Sequence, residues 1–181
     1  VFYREKDEVD LSKVKPLILG RLIGGPFGLL LLLNLSEKYL SISVGLIVLI
    51  AGAGSFFGWE INRNTFNSFF AGTFSGIFGM IAAIGGPPVA LLYRNTKSQE
   101  FRPSLNSVFS IGILITLSLL ILSGNLYFDH LLLFMLFLPI VLIGIRVSSS
   151  LFSKVSDSFI AQSVTYFSII SGLYVIFRNI N

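Results

Sequence analysis

Cysteine is absent from the 181 residues, histidine and tryptophan each occur once, and Asp, Glu, Lys and Arg together make up only 12% of the chain. The missing cysteine removes disulfides, thiolate metal sites, iron–sulfur clusters and Cys nucleophiles in one step, and leaves the redox state of the compartment unread. With His130 alone, and no acidic pair inside any apolar stretch, there is nothing from which to build a metal-activated water or a buried acid/base couple. An intramembrane serine protease would need a histidine facing its serine; Ser75 has none, because His130 is expected in a loop, as a solvated neighbour of Asp129. No phosphate-binding P-loop pattern is present either. The chain is therefore read as a non-enzyme that uses no cofactor and no metal.

Apolar residues, by contrast, are abundant. They make up 54% of the chain, the 17 glycines raise this to about 63% against roughly 45–50% for a globular domain, and the mean hydropathy is +0.84. That composition belongs in a lipid bilayer. The 22 charges are uneven: Arg4, Glu5, Lys6, Asp7, Glu8, Asp10, Lys13 and Lys15 place eight of them in the first fifteen residues. The net charge of +4 reads as loop orientation in a membrane protein and gives no reason to expect nucleic acid. The polar amino terminus lacks the apolar core of a signal peptide. It begins with Val1, which implies processing, trimming or a start further upstream. The expected organisation is a charged cytoplasmic segment over 1–16 followed by an all-α, multi-pass transmembrane helical domain over 17–181.

A helix that crosses about 30 Å of hydrocarbon needs about 20 apolar residues. Six regions qualify, at 17–35, 39–58, 67–93, 104–123, 131–150 and 159–177. The third carries Gly85-Gly86-Pro87-Pro88, which should break its helix: glycine weakens a helix interior, and proline removes a backbone donor and clashes with the preceding turn. Irregular backbone at membrane depth survives only where protein or a water-filled cavity surrounds it. Lys and Arg positions test whether this region crosses or doubles back. If all six regions cross, the two sides carry six basic residues each. If 67–93 enters and returns as a re-entrant hairpin, Arg94, Lys97, Arg102, Arg146 and Lys154 join the inner side and the count becomes ten against two. Cytoplasmic loops are enriched in Lys and Arg, so the hairpin is the better reading. Tyr39 and Trp59 then mark the ends of the second span as interfacial anchors.

Gly72, Gly76, Gly79, Ala83 and Gly86 follow the helical period on one face of the third region, beside a row of Ala71, Ser75, Gly79 and Ala83. Gly20, Gly24 and Gly28 form a similar face in the first span. Two readings stand side by side: close helix packing through small residues, or a face that lets a substrate approach the backbone. A helix restarting at Pro87 would aim its amino terminus into the membrane interior, with the amides of Gly85, Gly86, Val89 and Ala90 as donors to an anion. Broken helices of this kind form substrate sites in secondary transporters, although a plain packed kink gives the same sequence. Arg21, about four residues into the first apolar run, is either a snorkelling cation or the counter-charge of an anion. Arg102, Asn106 and Ser110 either line a pathway or satisfy nearby backbone groups.

The stretch Gly72-Thr73-Phe74-Ser75-Gly76-Ile77-Phe78-Gly79, followed by Gly85-Gly86-Pro87-Pro88-Val89-Ala90-Leu91-Leu92-Tyr93, resembles the second-repeat motif of the sulfite exporter TauE/SafE family of membrane permeases. The Gly20 to Gly28 span and the hydropathy pattern after the motif are similar to the carboxy-terminal two thirds of that family. The resemblance implies a fold of two repeats of about four helices, in the bacterial inner membrane, that moves sulfite and related organosulfur anions. It carries to Gly72, Gly76, Gly79, Gly85, Gly86 and Pro87 a place in the substrate site; Arg21, Arg102 and Asn106 come from the residues themselves. The glycine-rich segment of a first repeat would lie upstream of Val1, so the resemblance also implies a partner, either a missing amino-terminal repeat or a second copy of the chain.

The expectation is a secondary transporter in the cell inner membrane, exporting a small sulfur-containing or carboxylate anion, with the lipid bilayer and that anion as its partners. The contrasting expectation is a non-transporting membrane interaction protein, or an inactive fragment of such a transporter, whose glycine faces only pack helices.

Overall fold

The computed structural model describes residues 11–59, 61–93, 98–152 and 157–180, and folds them into seven helices with no strand among the described residues. In chain order these are α1 (Leu11–Asn34), α2 (Glu37–Phe56), α3 (Thr65–Ala82), α4 (Gly86–Leu92), α5 (Ser98–Leu122), α6 (Phe128–Phe152) and α7 (Asp157–Ile180). Four of them, over Val14–Asn34, Glu37–Gly54, Pro103–Leu122 and Phe128–Val147, are long and apolar enough to cross a membrane. The expected charged segment lies outside the described residues up to residue 10. From Leu11 the chain is helical, and Pro16 is accommodated within α1.

The third apolar region divides as its Gly-Pro content implies, but at a different place. α3 starts at an Asn64 cap whose side chain accepts from the Asn67 amide at 2.7 Å, and it ends at Ala83, which takes the left-handed conformation (φ 56°, ψ 19°). The amides of Ala83 and Ile84 bond back to the carbonyls of Gly79 and Phe78, the pattern of a left-handed helix stop. The expected turn on Gly85-Gly86 and restart at Pro87 are thus corrected. Ala83 makes the turn, and α4 begins at Gly86, with the prolines in its first turn, where their missing amides cost nothing.

α3 and α4 form the hairpin. The Ser75 hydroxyl, two turns before the end of α3, donates to the Gly85 carbonyl at 2.5 Å, so the chain has doubled back along α3 before α4 starts. At the far end Tyr93 returns to the entrance of the hairpin: Arg63 stacks 4.2 Å above its ring, and an Arg63 guanidinium nitrogen donates to its hydroxyl at 3.2 Å. Residues 63 and 93 therefore share one end of the bundle, as the re-entrant reading requires. Between them Val89, Leu92 and Tyr93 join Val14, Leu17, Ala71 and Val108 in the buried apolar core.

Glycine lets the helices approach. Added Cβ atoms at Gly20 and Gly24 would collide with the backbone of Phe69 and Thr73, and one at Gly72 with that of Leu17, so α1 and α3 meet backbone to backbone. α2 and α7 pack mainly on each other, through Gly45, Gly52 and Gly172. α6 stands apart from this packing, with every residue from Phe128 to Val147 exposed. His130 and Asp129, expected in a loop, occupy the exposed first turn of α6, where His130 Nδ1 accepts from the Tyr127 amide at 3.0 Å.

Candidate functional site

Arg21 is the residue around which the site is built. It lies in the middle of α1, one turn from each of Gly24 and Leu17, and only 6% of it is exposed. A long cation can occupy that depth because neighbouring residues have no side chain to oppose it. Gly112 on α5 lies directly under the guanidinium, whose atoms fill the space where a Cβ would stand. A Cβ at Gly79 of α3 would come within 3.1 Å of Arg21 Nη2, and one at Gly85 within 3.3 Å. Three glycines from three segments thus surround one guanidinium. The fourth side is the Phe109 ring, whose centroid lies 5.5 Å from Arg21 Cζ, within cation–π range.

Arg21 is enclosed by protein and does not extend to the surface of the bundle as a snorkelling cation would. Its Nη1 is buried without a hydrogen-bond partner, and no acidic residue pairs with it among the described residues. An ionised group taken out of water is costly unless paired and hydrogen-bonded, and guanidinium does not surrender its proton. The arrangement is a fixed positive charge with donor capacity to spare.

The charge faces a cavity of about 570 Å³. One wall is the break itself, formed by Ala83, Ile84, Gly85, Gly86 and Pro87, with Gly79 behind it. The opposite wall is a single face of α5, where Phe109, Ile113, Thr116 and Leu117 recur at helical spacing. Thr116 and Arg21 are the polar side chains of the lining. None of the turn, loop and cap hydrogen bonds uses the amides of Gly85 or Gly86, while the Gly85 carbonyl is engaged by Ser75.

The structure sorts the residues singled out in the sequence. Arg21, Gly79, Gly85, Gly86 and Pro87 come together around the cavity. Gly72 and Gly76 face Leu17 and Arg21 backbone in the α1–α3 contact, as packing residues. Val89 is fully buried in the apolar core, and Ala90 is exposed on the far side of α4. Asn106 is exposed on α5 outside the cavity lining, and the Arg102 side chain lies outside the described residues. α4 has seven residues, with prolines at two of its first three positions, so its dipole offers an anion little and Gly86 is the one amide donor among those three positions.

The α5 face was missed in the sequence. Its signal was Gly112, the one glycine of α5, between Ile111 and Ile113 and three residues after Phe109.

One protein-family model, described as sulfite exporter TauE/SafE, matches residues 1–175. No curated protein and no solved structure matches the chain with significance.

Proposed function

Because the chain belongs to the sulfite exporter TauE/SafE family, it is a membrane transporter of the sulfite exporter type, and we propose that it moves a small anion through the cavity between α1, the α3–α4 break and α5. The observation that carries this reading is Arg21, a guanidinium buried at mid-helix with one nitrogen unpaired and no acidic neighbour among the described residues. A transporter needs a site that attracts its substrate without holding it permanently. A single fork of donors meets that need, aided by the free amides of Gly85 and Gly86 and the Thr116 hydroxyl. Asn106, one helical turn from Phe109 on the same face of α5, belongs to the approach. The reading includes the direction, export, and the location, the cell inner membrane.

The test is efflux of sulfite from loaded proteoliposomes containing the purified protein. Arg21→Gln should abolish efflux. Arg21→Lys, which keeps the charge and loses the planar fork, should reduce it by about tenfold or more with normal membrane insertion. Undiminished efflux in the Gln variant sinks the assignment.

A further inference from the structure

A carrier must return its site across the membrane after releasing the substrate, and the charge of Arg21 decides how it does so. Resting on the reading of Arg21 as the anion-binding residue, we propose that the protein is an obligatory anion exchanger. Its site changes sides only with an anion on the guanidinium, so each anion carried out is matched by one carried in.

A site that returns unloaded needs a binding residue that is neutral, or one that finds an internal partner once the substrate has gone. Arg21 offers neither. A guanidinium keeps its proton, only 6% of the residue is exposed, and its Nη1 has no hydrogen-bond partner. Thr116 is the one other polar side chain of the cavity lining, and a hydroxyl carries no charge. Glu37 and Asp129 stand exposed in the first turns of α2 and α6, and neither lines the cavity. Among the described residues, therefore, the lining holds no carboxylate to take the place of the anion. It also holds no carboxylate or histidine that would bring a proton or a sodium ion with the substrate.

The packing fixes the charge to one part of the bundle. α1 lies backbone to backbone on α3 at Gly20, Gly24 and Gly72, and the Ser75 hydroxyl ties α3 to the break, so Arg21 moves with a block made of α1, α3 and α4. α5 meets Arg21 and its neighbour Gly25 through side chains, Phe109 on the guanidinium and Ile115 and Leu119 on the glycine. It is the wall that can part from the block. When the cavity is open to either side, water reaches the guanidinium. Between the two openings α5 closes on it. Closed on an anion, the guanidinium is paired and hydrogen-bonded; closed on nothing, it is a buried cation without compensation, which is the costlier state by far. Unloaded turnover is expected to be slower by about a hundredfold or more.

Efflux of labelled sulfite from proteoliposomes of the full-length protein tests this, with equal potassium on both sides and valinomycin present to hold the membrane voltage at zero. Efflux should be slow into a medium whose only anion is polyglutamate, which is too large for the cavity. Unlabelled sulfite in that medium should accelerate it by about a hundredfold or more. Thr116→Glu supplies a resident counter-charge: helical side chains lean towards the amino terminus, which carries residue 116 over Gly112, where the guanidinium lies. In that variant the rates into the two media should fall within about threefold of each other. Equal rates for the unsubstituted protein, with Arg21→Gln inactive, overturn the exchange and leave Arg21 as the binding residue. A Thr116→Glu protein that transports but keeps the full acceleration also overturns it, since the unpaired charge is then not what forbids the unloaded return. If Arg21→Gln transports like the unsubstituted protein, or if no sulfite leaves into either medium, the Arg21 reading fails and the exchange fails with it.

Discussion

Three absent side chains hold a cation inside this bundle: the guanidinium of Arg21 rests where Gly79, Gly85 and Gly112 have only hydrogen. The three positions are not equivalent to Gly86, where an added Cβ would meet nothing nearer than Phe109 Cζ at 3.9 Å. A longer side chain at Gly86 would project into the cavity without disturbing the backbone. Gly86→Leu is therefore expected to abolish anion efflux from proteoliposomes with a melting temperature close to that of the unsubstituted protein, and a large fall in melting temperature would show that the position serves packing instead. Ala83 gives the opposite case, a residue with a Cβ where the backbone favours its absence. Its left-handed conformation costs about 1–2 kcal/mol relative to glycine. Ala83→Gly should raise stability by about 1 kcal/mol, read as a higher melting temperature in the same detergent. Such strain next to a cavity is characteristic of functional sites.

At the level of the helix, what the sequence disclosed and what it hid have a common physical origin. The break in region 67–93, its return as a hairpin and the glycine faces of 20–28 and 72–76 were legible because they are requirements of local backbone: proline cannot donate, and small residues permit close approach. Which Gly-rich face meets which helix was not legible, because it depends on segments far apart in the chain. The α5 wall of the cavity and the α2–α7 contact through Gly45 and Gly172 are both of that kind. The turn residue also escaped, since Ala83 carries no sequence sign of left-handed backbone, and two glycines stand just after it. The α1–α3 contact has a direct test. A Cβ at Gly24 would collide with the backbone of Thr73, which cannot yield as a side chain can, whereas Gly144 in α6 has nothing within 4 Å. Gly24→Ala should destabilise the protein by about 2 kcal/mol or more, and Gly144→Ala should leave its melting unchanged or slightly raised. Equal effects of the two substitutions would contradict the packing described.

For the whole molecule, the hairpin fixes the orientation of everything after it. With residues 63 and 93 at one end of the bundle, the re-entrant arrangement, for which the positive-inside rule expects ten basic residues against two, predicts the sidedness of the loops. The native sequence has no cysteine, so single reporters carry no background. Cysteines introduced at Asn64 and Lys97 are expected to be shielded from an impermeant thiol reagent in intact cells, while those at Lys38 and Asn125 react. Reaction at only one of 64 and 97 would mean that the segment crosses. The burial of Arg21 has a further consequence for biosynthesis. The chain emerges amino terminus first, so α1 meets the insertion machinery before Phe109 and Gly112 of α5 exist. At that moment Arg21 opposes partitioning by about 2.5–3.5 kcal/mol, and the twelve Leu, Ile, Phe and Val residues between Val14 and Asn34 favour it by about 4–7 kcal/mol. Lys15, Pro16, Pro26 and the four glycines of the span narrow that margin further. The buried guanidinium thus leaves α1 a weakly committed membrane segment during synthesis, dependent for its final depth on the arrival of α3 and α5.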